Sequence, residues 1–221
     1  MQTYLSTLQI EFQINGNPEI AQKQKAYMRN QFEYFGMTAG ERRMITKPFL
    51  AKNFLPKKEI LHELIHKLWA KSERDFQQFG QDLTFKYVKR LETEDIELFE
   101  FMITHKSWWD TVDFIAVKLV GQYFKTFPSE RDFYVDKWLA SGNIWLQRTT
   151  LLFQLKYKTD IDTTLLTKVI HTLLGSKEFF INKAIGWVLR EYSRTDADWV
   201  LDFVHKTELS NLSKREALRL L

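Results

Sequence analysis

Two short stretches carry residue types and spacings that could do chemistry. In Ser107-Trp108-Trp109-Asp110-Thr111-Val112-Asp113-Phe114-Ile115-Ala116-Val117, a carboxylate follows an indole by four residues, so Trp109 and Asp113 share one side of a helix. At helical spacing Asp113 falls on the stripe Trp109, Asp113, Ala116, Val117, Val120, Phe124. A carboxylate on such an apolar face is costly unless it is paired, hydrogen-bonded or open to a cleft. Asp110 needs no function, because Ser107 and Asp110 ahead of an apolar run read as a helix N-terminus. The second stretch, His62-Glu63-Leu64-Ile65-His66, matches H-E-x-x-H, in which two His one turn apart bind zinc and the Glu activates water. Against it, Trp69 stands where one extension of that motif needs Gly, and Glu92, Glu94 and Glu97 form no recognisable third-ligand motif. Ile60, Leu61, Leu64, Ile65 and Leu68 already give this helix a core face, so coincidence is the better account.

Two further residues break the pattern of their helices. Over Asn143–Lys156 the apolar face is Ile144, Trp145, Leu151, Leu152 and Leu155, and Arg148 lies within it. A guanidinium there must find a carboxylate or a phosphate, or reach the edge; a structural pair with Asp113 is one outcome. Trp187 does the opposite. Phe180, Ile181, Ala184, Ile185, Val188 and Tyr192 form the core face of its helix, and Trp187 falls outside it, near Lys183, Arg190 and Arg194. A ring among cations suits a surface that touches a nucleotide or sugar while its neighbours hold phosphates; packing against an adjacent helix is the plain alternative.

The elements that must position these residues read as helices throughout. Asn17-Pro18 supplies an N-cap and a first-turn proline for a helix over Pro18–Asn30, and Gly36 ends the segment after it. Thr38 and Glu41 form a capping box, Pro48 interrupts the helix they open, and Pro56 starts the next. Ser72, Thr93, Ser107, Ser129, Asn143, Asp162, Ser176, Thr195 and Ser213 are the later expected caps. No strand-like alternation bounded by hairpin turns occurs. Starts recur about every 15–20 residues, so helix pairs recur at about the period of HEAT or armadillo units. The expected fold is therefore all-α, an α-solenoid in one domain over 1–221, with an irregular helical bundle as the alternative.

Composition narrows the function classes. The 221 residues contain no cysteine, which excludes disulfides, thiolate metal sites and Cys nucleophiles and points to a reducing compartment, the cytoplasm. No basic-then-apolar leader and no apolar run of ~20 residues is present, so no membrane partner is expected. There is no G-x-G-x-x-G, no Walker A sequence and no Ser in a nucleophile elbow. Net charge is +4. Residues 36–58 carry Arg42, Arg43, Lys47, Lys52, Lys57 and Lys58 against Glu41 alone. Residues 141–195 carry Arg148, Lys156, Lys158, Lys168, Lys177, Lys183, Arg190 and Arg194 against Asp160, Asp162, Glu178 and Glu191. A curved solenoid could bring both onto one concave face and present it to a polyanion; ordinary solvated helix faces are the alternative.

Several stretches resemble the AlkD-like family of DNA alkylation-repair glycosylases. They are Lys106-Ser107-Trp108-Trp109-Asp110-Thr111-Val112-Asp113, Trp145-Leu146-Gln147-Arg148 with Leu152-Phe153-Gln154, and Asn182-Lys183-Ala184-Ile185-Gly186-Trp187-Val188-Leu189-Arg190-Glu191-Tyr192-Ser193. Ala26-Tyr27-Met28-Arg29-Asn30-Gln31-Phe32 and Ser213-Lys214-Arg215-Glu216-Ala217-Leu218 extend the likeness toward both ends. The resemblance implies a HEAT-like solenoid whose concave basic face grips double-stranded DNA. It implies a monomeric, cofactor-free enzyme that hydrolyses the N-glycosidic bond of cationic N3- or N7-alkylated purines without drawing the lesion into a deep pocket. Asp113 would be the catalytic carboxylate, Trp109 and Trp187 the walls at the lesion, Arg148 a phosphate clamp and Tyr27 a lesion-side contact. Arg43, Lys156, Lys183, Arg190 and Arg194 join the expected DNA contacts. The chemistry is coherent: an alkylated purine already carries positive charge and leaves without a general acid. A fixed carboxylate then stabilises the oxocarbenium-like transition state and orients water, and indole faces favour a cationic sugar. Two other classes are a non-catalytic HEAT-type scaffold, with Asp113 and Arg148 as a buried ion pair, and a zinc hydrolase using His62, Glu63 and His66.

Overall fold

A computed structural model describes residues 2–221. The expected all-α class is what is observed; among the described residues the extended pairing is an isolated parallel bridge between Glu33 and Glu73. The chain divides into two compact units, one ending at Arg90 and the other spanning Leu91–Leu221. No helix among the described residues is long and apolar enough to cross a membrane.

The first unit contains α1 (Gln2–Ile14), α2 (Pro18–Tyr27), α3 (Ala39–Thr46), α4 (Leu61–Trp69) and α5 (Arg74–Phe85). Asn17 caps α2 through its side chain, which accepts from the Glu19 and Ile20 N–H groups. The Thr38–Glu41 capping box on α3 is complete in both directions. The helix expected to reach Asn30 stops at Tyr27, because Arg29 (φ 54°) and Asn30 (φ 58°) are left-handed. Pro56 opens no helix directly; a 3₁₀ turn at Lys58–Ile60 precedes α4. Leu64, Ile65, Leu68 and Trp69 of α4 meet Phe76, Phe79 and Leu83 of α5 in the core. Gly80 is needed there, since a Cβ would lie 2.7 Å from the Trp69 ring.

The second unit contains α6 (Asp95–Thr104), α7 (Trp109–Phe114), a π-helical segment (Ile115–Val120) and α8 (Gly121–Thr126). After these come α9 (Pro128–Ala140), α10 (Ile144–Leu152), α11 (Thr163–Leu173), α12 (Phe179–Tyr192), α13 (Ala197–Lys206) and α14 (Asn211–Ala217). From α7 to α8 the backbone stays helical, and the Gly121 N–H bonds the Ala116 carbonyl five residues back. Buried pairs recur every four residues there: Thr111/Val112, Ile115/Ala116, Leu119/Val120 and Tyr123/Phe124. That is a longer repeat than the 3.6 of an α-helix, and the π segment supplies the slower winding. The stripe expected from α periodicity is corrected accordingly. Asp113 stands at the edge of the buried face, not in it.

Helices of this unit alternate between two rows. The α7–π segment, α10, α12 and α14 pack side by side in one row. In the other row α9 packs on α11, and α11 meets α13 through His171 and Phe203. Helix α10 touches α6, the α7–π segment, α9, α11 and α12, which explains why it is buried nearly all round.

Candidate functional site

Asp113, near the C-terminal end of α7, and Arg148, in the middle of α10, form one bidentate ion pair. Nε donates to Oδ1 at 2.7 Å and a terminal nitrogen to Oδ2 at 2.8 Å. The other terminal nitrogen donates to the Phe180 carbonyl at 2.5 Å, at the start of α12. One guanidinium thus ties α7, α10 and α12 together, and planar fork geometry is what Arg offers over Lys. Exposure is unequal: the Arg148 side chain is 4% accessible and that of Asp113 is 15%. Burial pushes the Asp113 carboxyl above its ordinary value; the Arg148 hydrogen bonds and charge oppose the shift, and Asp110 adds to it.

Around the pair lies an aromatic cluster that sequence reasoning did not single out. Trp108, Trp145 and Phe180 meet with ring centroids 4.9–5.7 Å apart, and the Arg148 guanidinium carbon lies 5.8 Å from the Phe180 centroid. Phe180 is half-buried, so its expected place on the core face is corrected: the core residues of α12 are Ile181, Ala184, Ile185, Gly186, Val188 and Leu189. Trp108 caps α7 in extended conformation, where Ser107 was expected. The Ser107 hydroxyl instead donates to the Ile103 carbonyl, closing the end of α6. Trp109 is the first residue of α7, half-buried, one turn before Asp113.

Trp187 is half-buried on α12, seven residues after Phe180 and on the same side, about 10 Å further along the axis. Its expected cations are all in place, but each has an acidic neighbour. Lys183 and Arg190 both reach Glu216 of α14, each at 2.8 Å. Lys156 pairs with Glu191 at 2.5 Å, and Arg194 lies 3.8 Å from the same carboxylate. Phosphate binding by these side chains therefore means exchanging a carboxylate for a phosphate. For Arg148, a phosphate contact would also require leaving a site where it is almost fully buried. Glu191, Tyr192 and Arg194 line a cavity of about 230 Å³ at the far end of α12 with Gln154 and Lys158.

Tyr27 and Arg43 belong to the first unit. Tyr27 ends α2 and is 72% exposed. Arg43 is exposed on α3 and, with Lys47 and Lys86, lines a cavity of about 460 Å³ that includes Asp82. His62, Glu63 and His66 occupy α4 as the motif requires, yet Glu63 pairs with Lys67 at 2.7 Å. Among the described residues no three His, Asp or Glu side chains gather where a metal ion could be held.

The model of a family described as DNA alkylation repair enzyme matches residues 8–221. The chain belongs to that family. A solved structure of this DNA alkylation repair kind, described as a predicted DNA alkylation repair enzyme from Enterococcus faecalis, is 35% identical with a TM-score of 0.87. The match covers 93% of this chain and 96% of the other. No curated protein matches. The family match spans both compact units, and all the motif residues from Trp109 to Trp187 lie within it.

Proposed function

We propose that the protein is an AlkD-like monofunctional DNA glycosylase that removes cationic N3- or N7-alkylated purines from duplex DNA. Membership of a DNA alkylation repair family supports a repair role and a DNA substrate. The observation that carries the reaction is the Asp113 carboxylate, fixed by two hydrogen bonds yet 15% accessible, one turn from Trp109. A carboxylate that is already oriented requires little reorganisation as positive charge develops on the sugar. Because the leaving base is cationic, no second acid is needed, and neutral lesions should be poor substrates. Trp109 and Trp187 wall the lesion, with no deep flipping pocket, and Arg148 acts first as the group that holds Asp113.

The two rows of alternating helices in the second unit support HEAT-like repeats as the scaffold, and 1–221 is taken as one working domain. Tyr27, Arg43, Lys156, Lys183, Arg190 and Arg194 are the proposed DNA contacts, and the enzyme is taken as a cytoplasmic, cofactor-free monomer. A second reading, a non-catalytic DNA-binding member, is favoured by the same buried ion pair. Release of free base from N7-methylguanine duplex DNA, measured with and without chelator, separates them. Chelator-resistant release supports the glycosylase, no release the non-catalytic member, and chelator-sensitive release a metal-dependent hydrolase.

A further inference from the structure

Glu216 of α14 touches both cations that bracket Trp187. Lys183 is four residues before the indole and Arg190 three after, so all three project from neighbouring positions on α12. Both cations converge on the two oxygens of one carboxylate, Lys183 on Oε1 and Arg190 on Oε2. That carboxylate is 9% accessible, and its pKa is held below the ordinary value chiefly by the Lys183 hydrogen bond; Arg190 and Arg219 add to this.

The backbone is shaped to bring Glu216 this close. Gly186, the residue before Trp187, faces α14 so closely that a Cβ would lie 2.5 Å from the Glu216 Cβ and 2.8 Å from the Ser213 carbonyl. Ser213 also donates to the Asn182 carbonyl at 2.8 Å. Asn182, Lys183, Gly186 and Arg190 thus form the stripe of α12 that α14 covers, immediately beside Trp187.

We propose that Glu216 is a positioning residue for the glycosylase site: it holds Lys183 and Arg190 as a fixed bracket around Trp187 and withholds part of their charge from DNA phosphate. This rests on the glycosylase reading above. Two effects of opposite sign follow from one carboxylate. Removing its charge loosens the bracket, which slows chemistry, and releases cationic charge, which tightens DNA binding. A merely structural acid would weaken both together.

The test is Glu216→Gln in the full chain, with a methylated duplex as probe, read by single-turnover base release and by binding across salt concentrations. Expected are a roughly 10–100-fold slower release, the scale of a misplaced active-site group, tighter binding at low salt, and a log–log salt slope steeper by about 0.9. Release at the wild-type rate, or weaker binding together with slower release, overturns the proposal. If the Gln variant does not fold, Glu216→Asp answers the same question, because it keeps the charge and shortens the reach. Its salt slope should match wild type while release falls, and wild-type release by the Asp variant is equally fatal. Failure of the wild-type protein to release base overturns the glycosylase reading itself, a result separate from any effect at Glu216.

Discussion

Replacing Asp113 by Asn keeps its size and removes the charge on which the proposed reaction depends. It also strands Arg148, whose side chain is 4% accessible, so activity and stability fall together and must be pulled apart. The pair is bidentate at 2.7 and 2.8 Å; with charge centres ~4 Å apart and an effective dielectric of ~20 the attraction is about 4 kcal/mol. Breaking one side of such a pair costs about 3–5 kcal/mol, or roughly 6–20 °C of melting temperature in a chain of this size. Arg148→Met on the Asn background removes the stranded charge. Removing both charges of a buried pair is often close to neutral, so the double variant should recover most of the lost melting temperature. The assay is single-turnover release of N7-methylguanine from duplex DNA, run below the melting temperature of every variant. Asp113→Asn should be about 10²–10³-fold slower, and the double variant should be no faster. Recovery of base release along with stability in the double variant would refute the reasoning, because the loss would then have come from unfolding and not from the missing charge.

The buried carboxylate, the α12–α14 approach and the basic side chains each set a further outcome. Burial raises the Asp113 pKa, so base release, corrected for spontaneous loss, should fall on an acidic limb above the free-aspartate range and absent from Asp113→Asn; a limb at the free value contradicts the burial. The sign for stability is opposite to that of a surface carboxylate: a raised folded pKa favours the protonated fold, an advantage full below the unfolded pKa and lost as pH rises through the folded one. Gly186→Ala places a Cβ against the Glu216 Cβ and the Ser213 backbone and should cost about 1–3 kcal/mol, read as a lower melting temperature; an unchanged one argues against the close approach of α12 and α14. Duplex affinity should fall with salt at about 0.9 log units per log unit for each phosphate neutralised, and a flat response removes the DNA-contact role proposed for Lys156, Lys183, Arg190 and Arg194.

Local chemistry was legible wherever one residue did the whole task. Asn17, Thr38 with Glu41, Asn143 and Asp162 cap their helices through their own side chains. The caps expected at Ser72, Thr93, Thr195 and Ser213 fall instead on Glu73, Glu94, Asp196 and Ser210, and those at Ser107, Ser129 and Ser176 on Trp108, Phe127 and Glu178. A hydroxyl has other partners within reach: Ser107 bonds the turn behind it, and Ser213 bonds the neighbouring helix. Winding was not legible, since a π segment breaks the period by which faces are assigned. The oddity of a carboxylate and a guanidinium on apolar faces did point to a pair, although the two residues are 35 apart in sequence. Glu216 gave no such sign. It stands in an ordinary polar helix, and its role depends on α14 crossing α12 at a glycine.

The ion pair and the aromatic cluster have one consequence that neither has alone. Arg148 divides its donors between the Asp113 carboxylate and the Phe180 carbonyl, so the acid is referenced to the same helix that carries Trp187. Phe180 is itself wedged against Trp108 and Trp145, which resists any slide of α12 relative to α7. A buried pair is poorly explained as a stabiliser, because desolvation of both charges offsets their attraction. It is well explained as a rigid link that sets the carboxylate with respect to a ring two helices away, and that task requires the planar, two-sided geometry of a guanidinium. Lysine at 148 would keep the charge and lose the link.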